Sequence, residues 1–237
     1  MKNKIDLPRD KALLLSLQVE RDVLVKRALE AVQQGAKIRD PNRIDIRGEL
    51  IFGNNVEIDV NVIIEGRVVL GDGVRIGANC ILIASTIGEG TIIHPYSLVE
   101  EAVIGESSFV GPYGRVRPGS ILGDHVQIGN FVEIKRSRVA SSCRINHLTF
   151  VGDADLGEGV TLGAGTITCN YDGVGTHRTT IQKGAFIGSG CNLIAPIKIG
   201  TNATVGSGST ITKNVPSEKL TIARSRQVTV ENWKGPQ

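Results

Sequence analysis

The chain has 237 residues, a formal net charge of +3 and only 4% aromatic residues, but it contains 29 glycines. This length accommodates one substantial all-β domain with an extension. A weak charge without a long basic run argues against nucleic-acid binding, and no apolar run reaches the length that crosses a membrane. Because large aromatic side chains are scarce, we expect a core of small branched aliphatic residues.

Residues 8 to 34 are predicted to form one helix, with Pro8 in its first turn and Gly35 at its end. The apolar residues that recur at helical spacing, and so predict one apolar stripe resting on another surface, are Leu13, Leu17, Leu24, Ala28 and Val32. The segment RDPNRIDIRG then marks a linker, because Asp40-Pro41 disfavours continuation of the helix. We therefore assign residues 1–45 to a linker helix and connector.

From about Ile51 onwards, aliphatic residues recur every six positions and are often followed by glycine. The members in register are Val110, Val116, Leu122, Ile128 and Ile134, and later Ile181, Ile187, Leu193, Ile199, Val205 and Ile211; the step shortens to five at Val139 and Leu156. This period is typical of a hexapeptide solenoid, in which three short strands close a triangular coil around inward-pointing aliphatic side chains. Roughly nine coils at the usual strand spacing give a prism roughly 40 Å long. We assign the solenoid to residues 46–215; Pro216 stops the repeat, and residues 216–237 form an extension expected to pack along a neighbouring surface.

The rhythm breaks once, where thirteen residues separate Thr168 from Ile181 instead of six. The extra residues must leave the coil as a loop. Asn170-Tyr171-Asp172-Gly173 is favourable turn chemistry, and loops on a rigid scaffold often carry function. A solenoid has no natural concave pocket, so a site must form between a face and a loop or between subunits.

The four cysteines lie far apart, at Cys80, Cys143, Cys169 and Cys191, and form no CxxC pair. Disulfide frameworks belong to short secreted chains, and no signal peptide precedes this long one. We therefore expect four reduced thiols in a cytoplasmic protein.

The stretch IGNFVEIKRSRVASSCRINHLTFVG, residues 128–152, places His147 where the repeat usually has a small or neutral polar residue. Glu133 lies fourteen residues earlier, close to one coil, so its carboxylate is expected beside the imidazole, where it would select the tautomer. Arg117 and Lys135 add two cations, which favour an anionic substrate group such as a phosphate or carboxylate. The alternative is a surface histidine among solvated charges.

The other three histidines, His94, His125 and His177, share no spacing with His147 that would build a metal site. We therefore expect no metal.

Four segments carry a family resemblance: GPYGRVRPG, GNFVEIK, HLTFVGDADLGEGVTLGAGTITCNYDG and IARSRQ. They closely resemble the acetyltransferase domain of the bacterial bifunctional N-acetylglucosamine-1-phosphate uridyltransferase, and RDPNRIDIRGEL with the preceding helix is similar to that family's linker arm. The resemblance implies an all-β, left-handed parallel β-helix, a homotrimer, and transfer of acetyl from acetyl-CoA to glucosamine-1-phosphate. This reaction supplies UDP-N-acetylglucosamine for peptidoglycan and lipopolysaccharide. The left hand comes from the resemblance alone, because parallel crossovers are normally right-handed.

The resemblance also implies roles for individual residues. His147 matches the general base, Glu133 the carboxylate near it, and Arg117 with Lys135 the cations that hold the sugar phosphate. Asn170 and Tyr171 match loop residues beside the reacting centre, where a backbone N–H would steady the developing oxyanion. The positions that line the coenzyme A groove match Ala164, Ser189, Ser207 and Arg224.

Four positions depart from the family pattern. Phe150 stands where a tyrosine is usual, Thr161 where an asparagine contacts the sugar, Thr176 where a loop lysine helps to hold phosphate, and Gly190 where an aspartate is usual. His177 or Arg178 is a candidate replacement for the lysine.

The acceptor therefore stays open. Glucosamine-1-phosphate is the leading candidate, followed by another amino sugar or amine. A non-catalytic trimeric scaffold or regulatory partner is the third hypothesis, and a metal hydrolase is the last. Nothing before Ile51 resembles a glycine-rich nucleotide loop, so we expect neither uridylyl transfer nor a magnesium-dependent acetyl step from this chain.

Overall fold

The computed structural model describes residues 7–235, without the side chains of residues 7–10 and 12. Helix α1 runs over Leu7–Gln33, which agrees with the predicted helix. It ends in a Schellman motif, because Gly35 has a φ of 109° and the N–H groups of Gly35 and Ala36 donate to the carbonyls of Val32 and Ala31. Residues 1–6 of the predicted linker and residues 236–237 of the predicted extension lie outside the described residues.

Only the C-terminal half of α1 rests on the solenoid. Leu24 and Ala28 are buried as predicted. The predicted stripe is wrong at Leu13, Leu17 and Val32, whose side chains are exposed. Leu13 and Leu17 are exposed because the helix of 27 residues is about 40 Å long and packs mainly against residues 37–46. Val32 lies in the half that rests on the solenoid, but there Ala31 is the buried residue of the last turn and Val32 faces outwards.

Residues 37–221 form a left-handed parallel β-helix of about ten coils, which confirms the predicted fold class. A short 3₁₀ helix at Pro41–Arg43 precedes the second strand. Each coil contributes one short strand to each of three sheets, and every named strand pair is parallel. The first sheet contains β1 (Lys37–Ile38), β4 (Glu57–Ile58), β7 (Arg75–Ile76), β10 (Ile92–Ile93), β13 (Phe109–Val110), β16 (Gln127–Asn130), β19 (Arg144–His147), β22 (Thr161–Leu162), β25 (Phe186–Ile187), β28 (Thr204–Val205) and β30 (Leu220–Thr221).

The second and third sheets complete the triangular prism. The second contains β2 (Ile44–Ile46), β5 (Val62–Glu65), β8 (Ile81–Ile83), β11 (Leu98–Glu100), β14 (Arg115–Val116), β17 (Glu133–Lys135), β20 (Phe150–Gly152), β23 (Ile167–Cys169), β26 (Asn192–Ile194) and β29 (Thr210–Ile211). The third contains β3 (Glu49–Phe52), β6 (Arg67–Leu70), β9 (Thr86–Ile87), β12 (Val103–Ile104), β15 (Ile121–Leu122), β18 (Arg138–Val139), β21 (Ala154–Leu156), β24 (Thr179–Ile181) and β27 (Ile197–Ile199).

The core consists of inward-pointing aliphatic columns, one for each sheet. In the first sheet, Ile128, Ile145 and Leu162 are in register and buried. The two five-residue steps are confirmed in the third sheet, because Val139 and Leu156 stand in register and are both buried. The period therefore predicted which side chain of each strand enters the core.

Strand pairing begins before the predicted start and continues past Pro216. Lys37 pairs with Glu57 at one end, and Val205 pairs with Thr221 at the other. Ile51 itself is exposed, while its neighbours Leu50 and Phe52 pack against the core. The domain boundaries at residues 45/46 and 215/216 stay predictions.

All four cysteines are free thiols, as the sequence predicts. Cys80, Cys143 and Cys191 are buried, and Cys169 is half-buried. Burial raises the pKa of the Cys80 and Cys143 thiols to about 11, which disfavours the reactive thiolate.

Within residues 7–235, no helix combines the length and the hydropathy needed to cross a lipid bilayer.

Candidate active site

His147 lies at the corner of the prism where the first sheet turns into the second. We call the residues that occupy this corner on successive coils the corner column: Pro95, Pro112, Asn130, His147, Ala164, Ser189 and Ser207. Backbone hydrogen bonds link the coils here, as when Leu148 N–H donates to the Asn130 carbonyl and Gly165 N–H to the His147 carbonyl. The histidine therefore occupies a position that holds proline, asparagine, alanine or serine on the three coils before it and the three coils after it.

The residue after each column member has a left-handed backbone, and its size changes at His147. On the N-terminal side these residues are Tyr96, Tyr113, Phe131 and Leu148, with φ of 63°, 57°, 55° and 50°. On the C-terminal side they are Gly165, Gly190 and Gly208, with φ of 73°, 67° and 72°. Bulky residues rarely adopt this conformation, whereas glycine adopts it freely. Bulky side chains therefore project beside the column on the N-terminal side of His147 and form a wall, whereas on the C-terminal side no side chain projects there and the column is open.

The wall is an exposed stack of aromatic rings. The ring centroids of Tyr96 and Tyr113 are 5.0 Å apart, and those of Tyr113 and Phe131 are 5.1 Å apart, with nearly parallel planes. Each ring is about half exposed. An aromatic face of this kind is suited to contact with a ligand or with another protein surface.

The imidazole of His147 is exposed and held by a side chain of the preceding coil. Its Nδ1 lies 2.7 Å from Oδ1 of Asn130. Its backbone is fixed as well, because the buried Thr149 hydroxyl donates to the His147 carbonyl at 2.7 Å. Asn130 and His147 line a cavity of about 450 Å³, together with Phe109, Gly111, Pro112, Tyr113, Gln127, Gly129, Phe131 and Asn146.

A larger cavity, of about 820 Å³, lies on the N-terminal coils of the first sheet, between Lys37 and Pro95. It is lined by none of the site residues predicted from the sequence. We therefore centre the candidate site on His147 rather than on the larger opening.

The prediction that Glu133 lies beside His147 is wrong within a single chain. One coil here takes 17 residues, as the pairing of Asn130 with His147 shows, so a separation of fourteen leads to a different sheet. Glu133 lies on the second sheet, in register with Phe150. Its carboxylate accepts a hydrogen bond of 2.7 Å from Nη1 of Arg117.

The structure does bring Arg117, Glu133, Lys135 and Phe150 together on the outer surface of the second sheet. Lys135 stands opposite Gly152 at the end of β17. It forms no ion pair within the described part of the chain, whereas Arg117 is paired with Glu133. The charge of Lys135 is therefore available to an anionic ligand.

The Asn170 side chain lies beside this surface, next to Gly152. A Cβ placed on Gly152 would lie 2.6 Å from the Phe150 ring and 2.9 Å from the Asn170 amide nitrogen. Any side chain at position 152 would therefore displace both groups. The Thr168 hydroxyl accepts a hydrogen bond from the Gly152 N–H at 2.7 Å and thus fixes the strand that ends before Asn170.

The Asn170 amide is anchored by an ion pair that the sequence analysis missed. It donates to the Asp153 carboxylate, which also receives two hydrogen bonds from Arg136, at 2.9 and 3.0 Å. Burial acts to raise the pKa of Asp153, but the hydrogen bonds from Arg136 and Asn170 outweigh it and hold that pKa below its ordinary value. The 17-residue coil spacing between Arg136 and Asp153 is the signal that predicts this pair.

Replacing Asp153 with asparagine should lower the free energy of unfolding by about 1–2 kcal/mol at pH 7. This value is smaller than for a fully buried ion pair, because the half-exposed side chain of Arg136 is screened by solvent. A carboxyl whose folded pKa is lowered stabilises the fold above its unfolded pKa of about 3.9, and this contribution is lost as the pH falls through the folded pKa. The stability difference between wild type and Asp153→Asn, measured by urea unfolding, should therefore shrink at pH values below about 4.

The control for this prediction is a double-variant cycle with Arg136→Met. If the pair acts as one unit, the double variant should be no less stable than Asp153→Asn alone. Additive losses that do not depend on pH would contradict it.

The inserted loop is confirmed: β23 ends at Cys169, β24 begins at Thr179, and Ile181 returns to register with Leu156. Within the loop, Tyr171 and Thr176 form an antiparallel bridge. The Asp172 carboxylate accepts hydrogen bonds from the N–H groups of Gly175 and Val174, at 2.8 Å each, and pairs with Nε2 of His177 at 2.6 Å. These bonds, with that of Gly175 the largest, hold the pKa of Asp172 well below its ordinary value.

Both candidate replacements for the loop lysine already have partners. His177 is bound to Asp172, and Arg178 makes two hydrogen bonds of 2.5 and 2.6 Å to Asp155 on the third sheet. Tyr171 is exposed, and its hydroxyl donates to the Gly173 carbonyl.

The residues predicted to line a coenzyme groove share one corner of the prism. Ala164, Ser189 and Ser207 follow His147 in the corner column, each beside a glycine of the open side. Arg224 continues the line, with its Cδ 3.9 Å from a Cβ position on Gly208. Thr161 lies on the first sheet, in register with Arg144 and Phe186.

Among residues 7–235, no group of three or more His, Cys, Asp or Glu side chains is placed to hold a metal ion.

Comparison with known proteins gives two family matches. Residues 46–149 match the family described as the GMPPB C-terminal domain, and residues 178–213 match the bacterial transferase hexapeptide family of six repeats. The solved structure of LpxA from Acinetobacter baumannii covers 76% of this chain and 71% of its own, with 15% identity and a TM-score of 0.39. This similarity is too low to indicate function.

Curated relatives match at much higher identity. The bifunctional protein GlmU of Aromatoleum aromaticum is 51% identical over 88% of this chain and 46% of its own length. That of Methylococcus capsulatus is 53% identical over 93% of this chain and 48% of its own length. The chain thus spans about half the length of these relatives. These matches confirm the resemblance to the acetyltransferase domain of the bacterial bifunctional N-acetylglucosamine-1-phosphate uridyltransferase family.

Proposed function

We propose that this chain transfers the acetyl group of acetyl-CoA to the amine of glucosamine-1-phosphate, a step in UDP-N-acetylglucosamine synthesis in the cytoplasm. The observation that carries the proposal is the change in the corner column at His147, from a wall of exposed aromatic rings to a row of glycines. A base at the end of an open groove is the arrangement that acyl transfer from a long thioester requires. The chain is also 51–53% identical to bifunctional GlmU proteins over about half of their length, and this similarity supports the same reaction.

In this proposal His147 acts as the general base. The amine nitrogen of the sugar forms a bond to the thioester carbonyl carbon, and Nε2 of His147 takes the proton that the nitrogen loses. The C–S bond then breaks, and the proton returns to the departing thiolate. A backbone N–H near Asn170 or Tyr171 would stabilise the negative oxygen of the tetrahedral intermediate.

The acceptor's phosphate would be bound by cations of the second sheet. Lys135, which has no ion-pair partner among residues 7–235, supplies the available charge, and Arg117 adds a guanidinium that Glu133 orients. Phe150 provides an apolar surface beside Asn170 but no hydroxyl to donate.

The coenzyme would lie along Ala164, Ser189 and Ser207. The neighbouring glycines leave room for a pantetheine arm, because no side chain projects from the left-handed position of these coils. Arg224, at the far end, would bind a phosphate of the coenzyme.

A homotrimer is part of the proposal. Within one chain, His147 belongs to the first sheet and Glu133, Lys135 and Phe150 to the second. A second copy packed against the aromatic stack would place its own charged surface across the groove and exclude water from it. Sedimentation equilibrium should give three times the mass of the chain, and a monomer would refute this part.

The function is tested by mixing the protein with acetyl-CoA and glucosamine-1-phosphate and following free CoA with a thiol reagent. Because the protein's own thiols are buried or half-buried, their background signal should be slow and measurable without acceptor. Release that requires the acceptor supports the proposal. Tight oligomers that release no CoA with any amine would instead indicate a scaffold.

A second candidate is acetylation of a different amino sugar or amine. It is favoured by Phe150 and Thr161, and by the engagement of His177 and Arg178 with Asp172 and Asp155. Free glucosamine, tested beside the 1-phosphate, separates the two candidates, because only the 1-phosphate uses the charge of Lys135.

A further inference from the structure

We propose that Asn130 is a positioning residue that holds His147 as the Nδ1–H tautomer and so leaves Nε2 free to accept a proton. The structural part of this inference concerns only the two side chains. Its kinetic part rests on the proposed function. Glu133, for which the sequence predicts the orienting role, lies on the second sheet.

The stacking of two coils holds the side chains of Asn130 and His147 together. Asn130 and His147 are paired residues on β16 and β19, so their side chains leave the same surface at the same corner. The backbone on both sides of the pair is fixed, by Leu148 N–H to the Asn130 carbonyl at 3.1 Å and by the Thr149 hydroxyl to the His147 carbonyl. The 2.7 Å separation between Oδ1 and Nδ1 is thus imposed by the stacking of two coils.

The amide oxygen of Asn130 selects the tautomer of the imidazole. An amide oxygen can only accept a hydrogen bond, so Nδ1 of the neutral ring must carry the proton. Nε2 then has the free lone pair that a general base needs. An amide performs this orientation without adding a charge.

Among the described residues, no group other than Asn130 is within hydrogen-bond distance of the His147 ring. The side chains of β16 (Gln127–Asn130) and β22 (Thr161–Leu162) include no titratable group. Arg144, on β19 itself, has only donors and cannot accept a hydrogen bond from Nδ1–H. Asn130 is therefore the group that decides the tautomer.

The direct test is nitrogen NMR of the ¹⁵N-histidine-labelled 237-residue chain, without substrates, at a pH where His147 is neutral. The His147 signals are assigned by their loss in His147→Ala. We expect the shift pattern of an Nδ1–H ring in the wild type and a mixture of tautomers in Asn130→Ala. An Nε2–H ring in the wild type, or an unchanged pattern in Asn130→Ala, would overturn the proposal.

The kinetic test uses two variants and a matched control. Asn130→Ala should lower kcat about 3- to 10-fold, the loss expected for one hydrogen bond, with little change in KM. Asn130→Asp keeps the acceptor and adds a negative charge, so it should retain most of kcat at high pH and move the acidic limb of the pH–rate profile up by about one unit. Asn54→Ala, which removes an exposed amide bonded to Asp72 on a remote coil, should change neither quantity.

The two tests distinguish this inference from the proposed function. If the NMR pattern depends on Asn130 but no acceptor is acetylated, the positioning role stands and the proposed function fails. If acetylation proceeds and both Asn130 variants match the control in kcat and in pH profile, the positioning role fails and the proposed function stands.

Discussion

Replacing His147 with alanine should lower the rate of acetyl transfer by about 10²–10⁴-fold, the usual contribution of a general base. Alanine cannot take the proton that the amine loses as the new C–N bond forms. The fold should be unaffected, because the ring is exposed and position 147 is occupied by small residues on the coils that follow. The measurement is kcat for CoA release, with acetyl-CoA binding followed separately by calorimetry.

We expect His147→Ala to lose most of kcat but to keep its affinity for acetyl-CoA, because the coenzyme groove is formed by other residues. His125→Asn is the matched control. His125 is also exposed, and its left-handed backbone, with a φ of 57°, accommodates asparagine. A His147→Ala enzyme that keeps more than a tenth of the wild-type rate would refute the assignment of His147 as the base.

The substitution Ile145→Ala should have the largest effect on stability, about 2–5 kcal/mol. Ile145 is fully buried, in register between Ile128 and Leu162, and lies on the strand that carries His147. In a solenoid each coil contacts only its neighbours, so the cavity weakens both interfaces of that coil. Urea unfolding should show a lower midpoint at a fixed protein concentration, because oligomerisation makes stability depend on concentration.

Ile121→Ala is the matched control for this effect. It makes the same change on an earlier coil, but at a side chain that is 46% exposed. We expect a change within about 0.5 kcal/mol. Equal losses in the two variants would mean that the aliphatic columns do not set the stability of the solenoid.

The solenoid was largely predictable because a period of six fits neither an α-helix nor a single extended strand, whereas its left hand came from the family resemblance alone. The five-residue steps at Val139 and Leu156 placed both residues in the core of the third sheet, where they are found. The end of α1 at Gly35 was predictable for a local reason, since glycine readily adopts the left-handed conformation there. The exposed leucines at positions 13 and 17 were not, because spacing along a helix does not show how much surface the helix will meet.

The candidate site was predictable only in part. His147 stood out because it replaces a small or neutral polar residue of the repeat. Glu133 was wrongly predicted to be its partner. A separation of fourteen residues is close to the length of one coil, but it leads to a different sheet. Asn130, one full coil away, and the ion pair between Asp153 and Arg136 gave no signal until the coil length was known.

The amino-acid sequence by itself determined the solenoid, its inward-facing residues, the inserted loop and the candidate base, because each depends on local spacing and on the repeated burial of aliphatic side chains. Tertiary structure alone decided which side chains of stacked coils bond to one another. Coils of 17 residues align Asn130 with His147, while Glu133 forms an ion pair with Arg117 on the surface of the second sheet. The five-residue steps shorten the coil by one residue, so partners across coils follow from the stacked register and not from the six-residue period.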